Sequence, residues 1–238
     1  MIDIHSHLIP AVDDGSRSIE ETVEMLKEAK NAGFTDIILT PHYMESAYRT
    51  EVAIIDFWRE QLQKIVESEQ IGVKLYSGNE VYISAEMDRL FKENEFKTLN
   101  DSKYLLMELP LNSTVKYLNS IIFKLKAMNI TPIIAHPERY SCVHNDLEFV
   151  QFLVDQGCLI QCNFGSIIGM YGTEPEKIIK QLLQRNLVHF LGSDCHRPNT
   201  IYAAMGEIIN RLKEITTEEQ FQRITEENAK KLINQKQI

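Results

Sequence analysis

The stretch Met1–Gly15, MIDIHSHLIPAVDDG, decides how the rest of the chain is read. Its first residues form a short apolar run that ends in two histidines one residue apart, His5 and His7. Residues i and i+2 of an extended chain point the same way, so a strand ending here can bring both rings to one ion. Asp13-Asp14-Gly15 occupies the following loop. Ser18 and Glu21 then have capping-box spacing, Ile19, Val23, Leu26 and Ala29 share one helical stripe, and Gly33 is placed to end the helix.

This unit of strand, polar loop and amphipathic helix recurs along the chain. Strands are expected at DIILT (36–40), VKLYSG (73–78), KYLLMELP (103–110), TPIIAH (131–136), CLIQCN (158–163) and VHFLGSD (188–194). Helices are expected around 52–67, 84–92, 114–128, 146–156 and 174–185, with two more, 201–214 and 217–234, closing the chain. Seven strands, each followed by helical sequence, imply an α/β fold with a parallel sheet covered by helices. The strands are apolar almost throughout, as suits strands buried on both faces. The pattern leaves a closed barrel and an open doubly wound sheet both open, but no G-x-G-x-x-G or P-loop follows the first strand to support nucleotide binding.

At 238 residues, 44% hydrophobic and 25% charged, the chain suits one globular domain. The formal net charge of −9, with no basic stretch, argues against a nucleic-acid or anionic-membrane partner and favours bound cations. MIDIHSH lacks the basic start and unbroken apolar run of a signal peptide, and no apolar run approaches the ~18 residues of a membrane span. Cys142, Cys158, Cys162 and Cys195 show no C-x-x-C or secreted pattern, so free thiols and a cytoplasmic location are expected.

The chemistry lies at the strand ends. His5 and His7 end the first strand, His42 follows the second and Glu80 the third; Glu108 ends the fourth, His136 the fifth, and Asp194 and His196 the seventh. Asp14 sits in the first loop, and only the sixth strand, ending at Asn163, offers nothing. Any one of these alone is more plausibly a hydrogen-bonded histidine or a helix-capping acid, and His144 and His189 are given no role. Parallel strands, however, would bring all nine groups to one face, where βα folds build their sites. Such a cluster is costly unless cations sit within it, and imidazole with carboxylate suits Zn, Fe or Mn.

HSH, D-D-G, TPH, G-x-E, AHPER and SDCH, in this order, resemble the PHP superfamily, named after polymerase and histidinol phosphatase domains. Within it, D-D-G, LMELP and AHPERY are most similar to the manganese-dependent protein-tyrosine phosphatases of Gram-positive capsule and exopolysaccharide operons. The resemblance spans residues 1 to about 200. It implies one domain over 1–238, a distorted (β/α)7 TIM-like barrel with its metal site at the C-terminal ends of the strands. It also implies three divalent ions, with Mn favoured and Zn or Fe accepted. His5, His7, Glu80 and Asp194 would hold the first; Glu80, Glu108 and His136 the second; Asp14, His42 and His196 the third. Asp13 and Gly15 would shape the loop.

Three divalent cations against four carboxylates leave about +2, complementary to a phosphate monoester dianion. Arg139 and Arg197 lie at the same rim and suit phosphate contacts. No C-x5-R signature of the cysteine-dependent tyrosine phosphatases occurs, and Cys195 should point away from the site and be inert. The resemblance further implies a partner, the autophosphorylating tyrosine kinase of a polysaccharide export system, and through it control of capsule or exopolysaccharide synthesis. Two other readings are a small-molecule phosphatase, such as a histidinol-phosphate phosphatase, and a non-catalytic metal-binding adaptor of the kinase. A nuclease is the least compatible with so acidic a chain.

Overall fold

The computed structural model describes residues 1–238. Nine strand segments form in chain order: β1 (Ile2–Asp3), β2 (Asp36–Leu39), β3 (His42–Tyr43), β4 (Lys74–Ser77), β5 (Glu80–Tyr82), β6 (Tyr104–Glu108), β7 (Thr131–Ala135), β8 (Leu159–Asn163) and β9 (Phe190–Gly192). All their pairings are parallel, in the orders β1-β2-β4 and β3-β5-β6-β7-β8-β9.

The nine segments are the seven expected strands, two of them broken near the top. Pro41 has no N–H to give the ladder, so the second strand divides into β2 and β3; the third divides at Gly78-Asn79 into β4 and β5. Backbone bonds carry pairing across both breaks: Thr40 N–H donates to Ser6, Gly78 to Leu39 and Glu80 to Pro41. A parallel bridge between Ser6 and Cys195 joins the first strand to the last, and His7 N–H donates to the Cys195 carbonyl at 3.0 Å. The sheet thereby closes as a distorted barrel, which decides the question the sequence pattern left open.

Alternation along the strands splits the core in two. Ile2, Ile4, Ile38, Tyr76, Tyr104, Leu106, Ile133 and Phe190 fill the inside of the barrel. Ile37, Leu39, Leu75, Leu105, Ile134, Ile160 and Leu191 face the helices in a larger cluster of 53 buried residues. That outer layer includes α1 (Ile19–Asn31), α2 (Val52–Ser68), α4 (Leu118–Ala127), α6 (Glu148–Asp155), α7 (Thr173–Gln184) and α8 (Met205–Ile215). Two short helices, α3 (Met87–Lys92) and α5 (Ser141–Asn145), lie between them in the chain. The last expected helix is α9 (Glu218–Gln222) and α10 (Asn228–Ile233), joined by a π-helical turn, Arg223–Glu227.

The expected helix starts at 114 and 201 fall four residues early, because residues 114–117 and 201–204 form turns or irregular chain. The capping box is half realised: Ser18 accepts from Glu21 N–H at 3.3 Å, but Glu21 accepts from Arg17 N–H rather than from Ser18. No helix is long and apolar enough to cross a membrane. The cysteines are free; Cys158, Cys162 and Cys195 are buried and Cys142 is half-buried.

Candidate metal centre

The structure brings the nine expected residues together at the C-terminal ends of the strands. Three overlapping groups place their donor atoms within reach of a common ion: His5, His7, Glu80 and Asp194; His42, Glu80 and Glu108; and His7, Asp14, His42 and His196. The first is the expected set. The other two differ from the expected partition, since His42 rather than His136 joins Glu80 and Glu108, and His7 joins the Asp14 group. His136 is nonetheless adjacent, its Nε2 3.0 Å from Glu80 Oε1 and 3.8 Å from Glu108 Oε1.

Backbone geometry places these groups. Inward positions continue up each strand from apolar to polar, so Tyr104 and Leu106 lead to Glu108. His42 lies opposite Glu80 in the parallel register. His136 and Asp194 follow their strands in left-handed conformations, with φ of 34° and 53°. A non-glycine residue held there costs about 1–3 kcal/mol, and such strain concentrates where a side chain must be aimed. In the first loop, a Cβ on Gly15 would lie 2.2 Å from the His7 carbonyl oxygen, so only glycine fits.

In the first group, His5 Nε2 lies 3.1 Å from His7 Nε2, 3.2 Å from Glu80 Oε2 and 3.5 Å from Asp194 Oδ1. The far nitrogen of each ring is already bonded, His5 Nδ1 to Gln161 Oε1 at 2.9 Å and His7 Nδ1 to Asp13 Oδ2 at 2.8 Å. Both Nε2 atoms therefore turn lone pairs towards two carboxylate oxygens, an arrangement that calls for positive charge at the centre. Glu80 Oε2 and His42 Nδ1 are buried without a hydrogen-bond partner, although only 3.0 Å apart. A buried orphan of this kind asks for an explanation, and a cation supplies one. In the second and third groups, His42 Nδ1 is 4.0 Å from Glu108 Oε2, and Asp14 Oδ1 is 3.6 Å from His42 Nε2 and 3.4 Å from His196 Nε2.

The titration behaviour has the same sign. Burial alone would lower the pKa of His5, but the Glu80 and Asp194 carboxylates outweigh it and raise the value to about 10. His42 is held at about 9 against its burial, chiefly by Glu80. Asp194, despite burial, falls to about 2 beside His5 and His136. Glu108 moves up, through burial and the charge of Glu80. The imidazoles of His5 and His42 are thus held towards positive charge by the carboxylates around them. The same imidazole and carboxylate donors, free of thiolate, fit divalent Mn, Fe or Zn.

The two arginines differ. Arg139 is three-quarters covered, donates from Nη1 to Asp194 Oδ2 at 2.9 Å, and stacks its guanidinium 4.6 Å over the Tyr171 ring. Arg197 instead donates from Nη1 to the carbonyls of Asp14 (2.9 Å), His196 (2.6 Å) and Gly15, clamping the first loop to the last one.

Three further residues contribute where no role or only a turn was expected. Asp13 shapes the loop, accepting Gly15 N–H at 2.9 Å, but its other oxygen holds His7 Nδ1 and accepts His42 N–H at 2.9 Å. The sixth strand supplies Gln161 and Asn163, both fully buried beneath the site. Their signal was in the alternation of Leu159–Asn163, which turns Gln161 and Asn163 to the same face as Leu159 and makes polar the upper half of an interior otherwise filled by apolar side chains. His144 and His189 lie outside the cluster, bonded to the Glu138 carbonyl and to Ile160 N–H. Cys195 is buried, with Sγ 3.7 Å from Met25 Sδ and its pKa pushed up to about 12 by burial; it is turned away from the site, as expected.

Residues 1–234 match the family described as "Capsular polysaccharide synthesis, CpsB/CapC". The chain is 33% identical over 200 residues to the tyrosine-protein phosphatase YwqE of Bacillus subtilis, covering 84% of this chain and 79% of that protein. It superposes with a TM-score of 0.93, at 32% identity, over 100% of this chain and 96% of the other, on a solved structure. That structure comes from work on YwqE from Bacillus subtilis and CpsB from Streptococcus pneumoniae, described as unique metal-dependent tyrosine phosphatases. A histidinol phosphate phosphatase from Lactococcus lactis shares the fold, with a TM-score of 0.56 at 12% identity over 90% of this chain and 93% of that one. Fold, strand-end cluster and sequence agree, and the chain belongs to the CpsB/CapC family of capsular polysaccharide synthesis proteins.

Proposed function

We propose that this protein is a metal-dependent protein-tyrosine phosphatase that hydrolyses phosphotyrosine on a protein of a polysaccharide export system, its autophosphorylating tyrosine kinase in particular, in the cytoplasm. The observation that carries the reading is the meeting of four imidazoles on the buried carboxylate of Glu80, two through Nε2 atoms whose rings are already bonded on the far side. In this reading three ions, Mn foremost, are held by His5, His7, Asp14, His42, Glu80, Glu108, His136, Asp194 and His196. Bound divalent ions supply Lewis acidity, activating water and neutralising charge that develops on the phosphoryl oxygens.

The chain's own groups do the rest. Arg139, steadied by Asp194 and Tyr171, has guanidinium N–H groups left to bind and orient the phosphate. Arg197 acts through the loop it clamps, keeping Asp14 in place. Tyr48 stacks on the His42 ring at 5.7 Å and 16°, so an aromatic side chain borders the cluster there. Such a face suits an aryl leaving group, and the leaving-group chemistry separates this reading from a histidinol-phosphate phosphatase, whose leaving group is an alkoxide. An adaptor without catalysis accounts poorly for a complete nine-residue set.

The test compares turnover of a phosphotyrosine peptide, a phosphoserine peptide and histidinol phosphate by purified protein with added Mn, alongside metal analysis. Preference for the phosphotyrosine peptide is expected. A wide margin for histidinol phosphate would replace this reading, and bound metal with no phosphoester hydrolysis would favour the adaptor.

A further inference from the structure

We propose that Gln161 and Asn163 are positioning residues of the metal centre. A directed hydrogen-bond chain through them determines which nitrogen of His5 and which oxygen of Asp194 face the cation. The proposal rests on the metal-dependent reading above and extends it to residues outside the ligand set.

The direction of the chain follows from its one end that can only accept. Asp194 Oδ2 receives an N–H from Asn163 Nδ2 at 2.8 Å. The Asn163 oxygen is therefore the atom facing Gln161, whose Nε2 donates to it at 2.8 Å. That leaves the Gln161 oxygen facing His5 Nδ1 at 2.9 Å. A carbonyl oxygen cannot donate, so Nδ1 carries the hydrogen and Nε2 is left as the metal-facing atom. At the other end, Asp194 Oδ2 also accepts from Arg139 Nη1 at 2.9 Å. With two donors on Oδ2, Oδ1 is the oxygen left for the cation, and it already lies 3.5 Å from both Nε2 atoms.

The surroundings hold the chain in place. Gln161, Asn163 and His5 are fully buried, so no water competes for these bonds. Glu138 Oε1 accepts the Asn163 backbone N–H at 2.8 Å and fixes that strand end. A Cβ on Gly192 would stand 3.0 Å from Gln161 Nε2 and 2.8 Å from His5 Cβ, so the glycine leaves the room both side chains need. Buried polar residues often do no more than satisfy one another. Here the two ends of the chain land on two members of one donor group, which mutual satisfaction alone does not require.

The experiment measures Mn affinity of the full chain by competition against a chelating indicator, at one fixed pH, with far-UV circular dichroism as the check on folding. Gln161→Leu removes both links and is expected to weaken binding by about 10–100-fold, as loss of a partner behind a metal-ligating histidine does. Gln161→Glu keeps an acceptor for His5 Nδ1–H but sets an oxygen against the Asn163 oxygen, so it restores one link of the two and is expected to recover part of that loss. Asn163→Ser, the milder change, is expected to cost about tenfold through Asp194. Wild-type affinity in Gln161→Leu, with binding lost in His5→Ala, overturns the proposal and leaves the metal reading intact. Equal weakening in Gln161→Leu and Gln161→Glu overturns the orienting of His5 by Gln161. If Gln161→Leu does not fold, wild-type affinity in Asn163→Ser overturns it instead. Failure of the unaltered chain to bind Mn, Zn or Fe would remove the metal reading itself.

Discussion

Replacing Glu80 by glutamine isolates the centre of the site. Glutamine keeps the size of the side chain and removes one negative charge. Glu80 Oε2 stands 3.2 Å from His5 Nε2, 3.3 Å from His7 Nε2 and 3.0 Å from His42 Nδ1, while Oε1 stands 3.0 Å from His136 Nε2. At an effective dielectric of about 20, a unit charge pair roughly 3.2 Å apart attracts by about 5 kcal/mol, and a divalent cation at that distance by about 10 kcal/mol. The carboxylate is fully buried, so glutamine also escapes a desolvation cost that offsets much of the loss. If about a third survives, the change is about 3 kcal/mol, or roughly 100-fold in affinity. The assay is Mn competition titration with metal content after gel filtration, in protein whose circular dichroism is unchanged. Glu80→Gln that holds Mn as tightly as the unaltered chain would refute the placing of Glu80 at the centre of the cation cluster.

Three other outcomes are expected. Arg139→Ala removes a donor to Asp194 Oδ2 and should weaken Mn binding by about tenfold; at saturating Mn it should still lose about 100-fold or more in kcat/KM on a phosphotyrosine peptide, since each charge-assisted hydrogen bond contributes about 1.5–3 kcal/mol, and an unchanged rate at saturating Mn would return Arg139 to a purely structural role beside Asp194. Chelation should lower the thermal midpoint by more than about 5 °C, reversed by Mn, because an ion at 100 times its Kd stabilises by about 2.7 kcal/mol and each kcal/mol moves a chain of this size by about 2–4 °C; an unmoved midpoint would count against resident ions. Burial holds the pKa of His189 down at about 4 in the folded chain, against an ordinary 6.5. The unfolded chain therefore takes up the extra proton, and the stabilisation, full above pH 6.5, is lost as pH falls through 4, by about 3 kcal/mol in all. In metal-loaded protein, the urea midpoint should fall more steeply over this range than in His189→Gln, and parallel curves would show His189 is not held neutral.

The nine rim residues were legible as a set because they are chemically rare types repeated at the strand ends. Strand periodicity needs only local sequence, so the seven strands could be read directly. The breaks after Leu39 and Ser77 were less visible, although Pro41 and Gly78 mark them, because a broken strand and a strand end look alike locally. The roles of Gln161 and Asn163 were missed for a different reason. Neutral amides carry no metal-site signature, and their meaning depends on having His5 at one end and Asp194 at the other.

By itself the sequence determined the strand–helix alternation, the apolar strand faces, the charge balance and the identity of the nine rim residues, all of which follow from composition and short-range spacing. Tertiary structure alone decided that the sheet closes through Ser6 and Cys195, and that His42 and His7 each stand between two donor groups. It alone turned Arg139 onto Asp194 and Arg197 onto backbone carbonyls. The physical reason is distance along the chain: barrel closure brings Cys195 against Ser6, and hydrogen-bond direction across such a gap is set by which atoms meet in space.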